Sequence, residues 1–384
     1  MTHAARRPRI GFISTSNYAL SFFLQPYIVA LAKNADVVLI ANTEHGTPST
    51  LPGITFIAVP FVRTPKPGSD LWNLIRLCKV LKQQNLDIVY TISPKGGLLG
   101  MLAATLMRVK KRVHFFTGQV WITRTGLWRK ILKSLDKAIA SMAHVALVDS
   151  GSQRDFLVAE YVLEPNKSKV LGAGSVAGID TNRFRPDPVV RRALRDELNI
   201  AQDMMLLVFL GRVTRDKGVQ ELMTAFEGLA EKNPNLGLLI AGPDEGMMDT
   251  LQSSVSRAGL FDKVWFTGGV SDPERYFAAG DIFCLPSYRE GFGLVIIEAA
   301  ATGLPAIGSN IYGVKDAIID GETGLLHDNK NVADLADKIE KLITDDGLRN
   351  ALGQAALKRA QQDFSQDAMV AHFLAFHNDI LDQK

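Results

Sequence analysis

At 384 residues, 47% hydrophobic and 22% charged, the chain exceeds a single core, which stops growing at roughly 250–300 residues, and has the make-up of a two-domain globular protein. Its two cysteines, Cys78 and Cys284, stand far apart in apolar segments and read as core residues, which argues against a disulfide framework or a thiolate metal site. The net charge of +3 conceals a division: residues 1–180 hold 22 Lys/Arg against 10 Asp/Glu, and residues 181–384 hold 21 against 30, so the first half is suited to an anionic neighbour.

The chain opens on MTHAARRPRIGF, where basic residues lead directly into a strand, and no apolar run reaches the roughly 18–20 residues of a spanning helix. The expectation is a cytoplasmic protein without a signal peptide. Apolar, β-branched runs then alternate with helix-like stretches: RIGFIS, DVVLIA, ITFIAV, DIVYTI, KRVHFF and HVALVD. Strands that are apolar on both faces and separated by helices predict a doubly wound α/β domain with a parallel sheet.

After DIVYTI the chain reads Ser93-Pro94-Lys95-Gly96-Gly97 and enters an apolar helix. Backbone amides at a helix start beside one lysine predict an anion site, and with it a second phosphate-bearing ligand. From Lys110 to Lys137 basic residues interleave with aromatics, including Trp121, Arg124, Trp128, Arg129, Lys130 and Lys133. Rings at headgroup depth and cations on anionic lipid would make this a membrane-surface contact. The alternative is a solvated basic helix face with both tryptophans buried beneath it. The aromatics are too few and too clustered for a nucleic-acid stacking platform, so no nucleic-acid partner is expected.

Prolines and a change of charge sign between Gly178 and Pro188 mark a linker. The predicted units are a first domain over 1–180, a second over 181–362 and an amphipathic helix over 363–384, whose packing partner periodicity does not reveal. The second half repeats the alternation with MMLLVFLG, LGLLIAG, KVWFTG, DIFCLPS, LPAIGS and TGLLHD.

Two loops in this half carry chemistry. The first strand ends in Gly211-Arg212 and is followed five residues later by Lys217 at the start of a helix. A fork-shaped guanidinium and a mobile ammonium flanking a helix start suit a diphosphate, against the plain reading of two surface charges. The fourth strand leads through Pro286-Ser287-Tyr288-Arg289 into Glu290-Gly291-Phe292-Gly293-Leu294 and then a helix whose one carboxylate is Glu298. A carboxylate in an apolar helix needs hydroxyl or cationic partners, and ribose hydroxyls or an internal arginine would both serve.

Together, Arg-x4-Lys, Glu-x7-Glu, the EGFG loop and the segment GSVAGIDTNRFRP resemble the retaining glycosyltransferases of family 4, which have the GT-B architecture: two Rossmann-like domains facing across a cleft. The resemblance implies that Arg212 and Lys217 hold the donor diphosphate, that Glu298 takes the ribose, and that Glu290 with the amides of Gly291 to Leu294 faces the sugar. It makes Arg212, Lys217 and Glu290 the catalytic set, and adds Gly211, Gly242 and Pro243 to the donor site.

SPKGGLLG, FFTGQVW and VDSGSQRDFL resemble the bacterial N-acetylhexosaminyl transferases that extend undecaprenyl-diphosphate-linked sugars. This implies a UDP-sugar donor, a polyprenyl-diphosphate-linked acceptor met by Lys95, Gly96, Gly97, His114, Thr117, Gly118 and Gln119, and work on the inner face of the cytoplasmic membrane. Thr117 stands where many members carry a histidine, and His114 three residues earlier reads equally well as core. Ser14-Thr15-Ser16-Asn17-Tyr18 replaces the glycine pair that many members have after the first strand. No Asp-x-Asp occurs, so no metal cofactor is expected. Two rival readings share this architecture: a UDP-sugar 2-epimerase, which needs no acceptor, and a membrane-associated binding protein without activity.

Overall fold

The computed structural model describes residues 6–44, 52–62 and 64–382, and the chain divides into two compact units, residues 1–178 with 366–384 and residues 179–365. The opening Met1–Ala5, part of the argument about a signal peptide, lies outside the described residues. No helix among the described residues is long and apolar enough to cross a membrane.

Among the described residues the first unit has seven strands: β1 (Arg9–Ser16), β2 (Asp36–Asn42), β3 (Ile54–Ala58), β4 (Ile88–Ile92), β5 (Lys111–Phe116), β6 (Val145–Val148) and β7 (Ser168–Val170). All pair in parallel, in the order β3-β2-β1-β4-β5-β6-β7. The first six were expected from their apolar runs. The three residues of β7, one of them an exposed lysine, carry no such signal.

Helices α1 (Asn17–Phe22) and α2 (Gln25–Ala32) join β1 to β2, whereas α3 (Pro67–Gln84), α4 (Pro94–Leu106), α5 (Gly126–Met142) and α6 (Gly151–Ala159) follow β3, β4, β5 and β6. Helix α4 packs between α3 and α5, as right-handed crossovers to one face require.

The second unit opens with α7 (Pro188–Glu197), capped by Asp187, which accepts from the amides of Val189 and Val190. Its sheet comprises β8 (Met205–Leu210), β9 (Leu236–Ala241), β10 (Val264–Gly268), β11 (Ile282–Leu285), β12 (Ala306–Ser309) and β13 (Gly324–His327), all parallel in the order β10-β9-β8-β11-β12-β13. Helices α8 (Val219–Lys232), α9 (Met248–Ala258), α10 (Pro273–Ala279), α11 (Leu294–Ala301), α12 (Val314–Ala317), α13 (Val332–Thr344) and α14 (Asp346–Asp363) cover it. Cys284 is buried in β11, and Cys78 sits half-buried on α3 against its core.

The last helix, α15 (Gln366–Asp382), returns to the first unit, where Phe373 stacks on Tyr27 with centroids 4.4 Å apart and His377 Nδ1 lies 2.7 Å from the Tyr90 hydroxyl. In each sheet the strand order reverses beside the first strand, between β1 and β4 and between β8 and β11. Ligands of open α/β sheets bind beyond the carboxyl ends of the strands at such a point.

Candidate functional site

At the carboxyl end of β8 the chain passes through Gly211 and Arg212, and at the end of β9 through Gly242 and Pro243. The two segments stay paired beyond the strands: Val213 N donates to Pro243 O at 2.9 Å and Glu245 N to Val213 O at 3.1 Å. Gly242 has φ +147°, and a Cβ there would strike the carbonyl oxygen of Gly211. This pairing sets Arg212 opposite Glu245, with Nη1 and Oε2 2.6 Å apart and both side chains nearly half exposed. An ion pair so exposed contributes at most about 1 kcal/mol, so an anionic ligand can take over the guanidinium at little cost.

Lys217 closes a 3-10 turn, and Gly218, at φ +68°, begins α8. A Cβ on Gly218 would run into the carbonyl of Pro286, so the β8 and β11 loops touch here. Tyr288 N donates to Asp216 O at 2.9 Å across the same junction. Lys217 consequently reaches the Glu290 carboxylate and forms an ion pair that is largely shielded from solvent. Arg212 and Lys217 both stand at the β8–β11 reversal, each held by a carboxylate from a neighbouring loop.

Beyond Glu290, Gly291 carries the chain past Gly313, whose own Cβ would strike the Gly291 carbonyl. The Phe292 ring turns into the core with its centroid 5.4 Å from that of Phe364, which leaves only its backbone for a ligand. Gly293 and Leu294 then start α11, where Glu298 lies half-buried. No hydrogen bond to the Glu298 carboxylate occurs among the described residues. Burial pushes its carboxyl up to about 7, with Arg183 opposing the shift and Glu274 adding to it. Arg183 is itself paired to Glu274 at 2.8 Å.

The first unit corrects several expectations. Lys95 Nζ is 2.5 Å from Asp70 and donates to the carbonyls of Val62 at 2.7 Å and Thr64 at 2.8 Å. Its three hydrogens thus tie a loop to α3. Gly96 and Gly97 have a packing role: side chains there would collide with Ser93 and with the His114 ring. His114 is buried with Nδ1 2.7 Å from Thr91 Oγ1, and burial pushes its pKa down to about 3, so the ring is neutral. Gln119, also buried, donates to Thr117 O at 2.7 Å and accepts from Gln153 at 3.3 Å, which shapes the Thr117-Gly118-Gln119 loop from within.

Trp121, expected at a membrane, is fully buried. Its indole N–H donates to Asp136 Oδ2 at 2.7 Å, and its ring stacks on Phe156 at 5.5 Å. Arg129 and Lys133, one helical turn apart, lie over the same ring and share Glu160, at 3.1 Å and 2.5 Å. A buried indole needs an acceptor for its N–H, and the acidic partners stand 15 and 39 residues further along the chain.

Residues 28–175 match Glycosyltransferase Family 4 and residues 190–359 match Glycosyl transferases group 1. The chain belongs to the family 4 glycosyltransferases. It is 29% identical to the capsular polysaccharide biosynthesis glycosyltransferase CapM of Staphylococcus aureus, over 91% of each chain. It is 28% identical to the N,N'-diacetylbacillosaminyl-diphospho-undecaprenol alpha-1,3-N-acetylgalactosaminyltransferase of Campylobacter jejuni, over 97% of this chain and 99% of that one. Sucrose-phosphate synthase of Thermosynechococcus elongatus superposes with a TM-score of 0.81 at 21% identity, covering 98% of this chain and 100% of the other, and so shares the GT-B fold.

In this glycosyltransferase the exposed part of α5 and of the loop before it differs from the set expected. Arg124, Trp128 and Lys130 remain at the surface, joined by Leu127, Ile131 and Leu135. A second exposed apolar group, Leu71, Trp72 and Ile75 beside Arg76, lies on α3. Its spacing of one and three residues was visible in the sequence, but nothing there distinguishes it from the core-facing residues of the same helix. Glu245 lies 33 residues from Arg212 in an ordinary loop, so nothing in the sequence pairs the two.

Proposed function

We propose that this glycosyltransferase moves a sugar, N-acetylhexosamine, from a UDP donor to a polyprenyl-diphosphate-linked sugar, with retention of anomeric configuration and without a metal. The observation that carries the reading is the convergence of Arg212 and Lys217 at the β8–β11 reversal, each against a carboxylate that a diphosphate can displace or share. As the bond from the anomeric carbon to phosphate oxygen breaks, its electron pair stays on the departing nucleoside diphosphate. The two cations and the starts of α8 and α11 would stabilise that charge as a preorganised field. The acceptor oxygen attacks from the face that the leaving group vacates and passes its proton to the departing phosphate. Glu298 would receive the ribose hydroxyls. A carboxyl near neutrality, without a protein hydrogen bond, is suited to them.

The name of the Campylobacter relative, which specifies an undecaprenyl-linked acceptor and N-acetylgalactosamine, supports the choice of substrates. Work at the membrane surface is supported by Leu127, Trp128 and Ile131 on α5 and Leu71, Trp72 and Ile75 on α3, with Arg124, Lys130 and Arg76 alongside. The test is a panel of UDP- and GDP-sugars offered with undecaprenyl-diphosphate-linked monosaccharide in the absence of metal. Transfer from a UDP-N-acetylhexosamine that requires the lipid-linked acceptor is expected. Donor consumption or epimerisation without acceptor would refute the reading.

A further inference from the structure

Three consecutive residues of the loop after β11 grip the start of α8. Tyr288 donates its backbone N–H to Asp216 O at 2.9 Å and its hydroxyl to the Glu221 carboxylate. Arg289 reaches Asp216 at 3.6 Å, and Glu290 meets Lys217. Glu221 stands in the first turn of α8, on the helix that Lys217 precedes. On the ring of Tyr288 rests Lys330 Nζ, 4.5 Å from the centroid and contributed by the loop after β13. Tyr288 thus joins the loops that follow β8, β11 and β13.

These grips differ in how they respond to an anion. A diphosphate competes for Lys217 and so loosens the ion pair that Glu290 makes with it. The Arg289–Asp216 pair is long, and Asp216 is nearly half exposed, so it holds little. The bond from Tyr288 to Glu221 offers a phosphate no cation. Burial, with the Glu221 hydrogen bond adding to it, pushes the Tyr288 hydroxyl above its ordinary range, so it stays protonated and donates. Hydrogen bonds to an ionised acceptor are the stronger kind. The second carboxylate oxygen of Glu221 is buried without a partner, which makes the phenol its one hydrogen-bond donor among the described residues.

We propose that Tyr288 is a positioning residue for the donor site. Through Glu221 it holds the β11 loop against the start of α8, and so keeps Lys217 and Glu290 in place when a diphosphate draws the ammonium off its carboxylate. The phenol itself touches no donor atom. This rests on the reading of Lys217 as a ligand of the donor diphosphate.

The experiment is calorimetric binding of UDP and UMP to the full-length protein without metal, for the wild type, Tyr288→Phe, Lys217→Ala and the double variant. A wild type that binds UDP no more tightly than UMP refutes the underlying reading, and the inference falls with it. With that increment present, Tyr288→Phe is expected to weaken UDP about tenfold and UMP by no more than about twofold. In the Lys217→Ala background the same substitution should change UDP affinity by no more than about twofold, because a residue that acts through Lys217 then has nothing to position. An unchanged increment in Tyr288→Phe, whatever the fall in Tm, overturns the proposal. So does a tenfold loss that persists in the Lys217→Ala background. A second pair of variants keeps the test open if Tyr288→Phe does not fold. Glu221→Gln, whose amide oxygen still accepts from the phenol, should retain UDP affinity, and Glu221→Ala should lose about tenfold. Equal affinities in these two variants would overturn the proposal.

Discussion

The two sheets present the same topological feature with opposite chemistry. At the β8–β11 reversal of the second unit, Arg212 is nearly half exposed and Lys217 stands against Glu290, so both cations hold partners that a ligand can replace. At the β1–β4 reversal of the first unit the strand ends carry hydroxyls, with Thr15 Oγ1 3.1 Å from Ser93 Oγ, and the nearby lysine, Lys95, is bound into backbone carbonyls. A positive charge on a strand–helix loop is therefore no guide to an anion site until its partners are known. A carboxylate partner is exchangeable for phosphate, whereas two carbonyls and an aspartate together make an anchor.

The sharpest way to break this contrast is to remove the two cations of the second unit, one at a time. Lys217→Met and Arg212→Ala should each lower turnover by roughly 10²–10³, as the loss of a preorganised charge-stabilising group does. Near-normal steady-state rates would abolish the distinction. Smaller in energy is the pH response of Glu298. Its carboxyl is raised from 4.5 to about 7 in the folded state, so the protonated form favours folding. That stability is complete below the unfolded pKa and is lost as pH rises from about 4.5 to 7. Glu298→Gln should therefore match the wild type at pH 4.5 and exceed it above pH 7 by up to roughly 3 kcal/mol in denaturant unfolding. A constant difference across that range would contradict the burial argument.

Lys95→Met should lower stability by about 2 kcal/mol, because it strands Asp70 and two carbonyls, yet leave the acceptor KM unchanged. A selective loss of acceptor affinity would restore the lysine to the site. Least in size, Lys130→Ala should weaken sedimentation with anionic vesicles by about 1 kcal/mol, or roughly fivefold. Trp121→Phe should instead lower Tm and leave vesicle binding alone.

Much of the fold was legible in the sequence because buried parallel strands announce themselves as unbroken apolar runs: β1 to β6 and β8 to β13 each follow one. The pair Arg212 and Lys217 was legible for a related reason, since a glycine at a strand end and a cation at a helix start lie within seven residues. What escaped depends on distant or featureless partners. Lys95 is held by the carbonyls of Val62 and Thr64, which any residue could supply. Trp121 and Trp128 sit in the same basic stretch, and only the fold separates the indole that meets Asp136 from the one left in solvent.

The most direct measurement is calorimetric binding of UDP, UMP and uridine to the wild type, Arg212→Ala and Lys217→Ala in the absence of metal. The account predicts that UDP binds more tightly than UMP, and that this increment is largely lost in both variants while uridine binding persists. An increment that survives both substitutions, or one that appears only with magnesium, would contradict it.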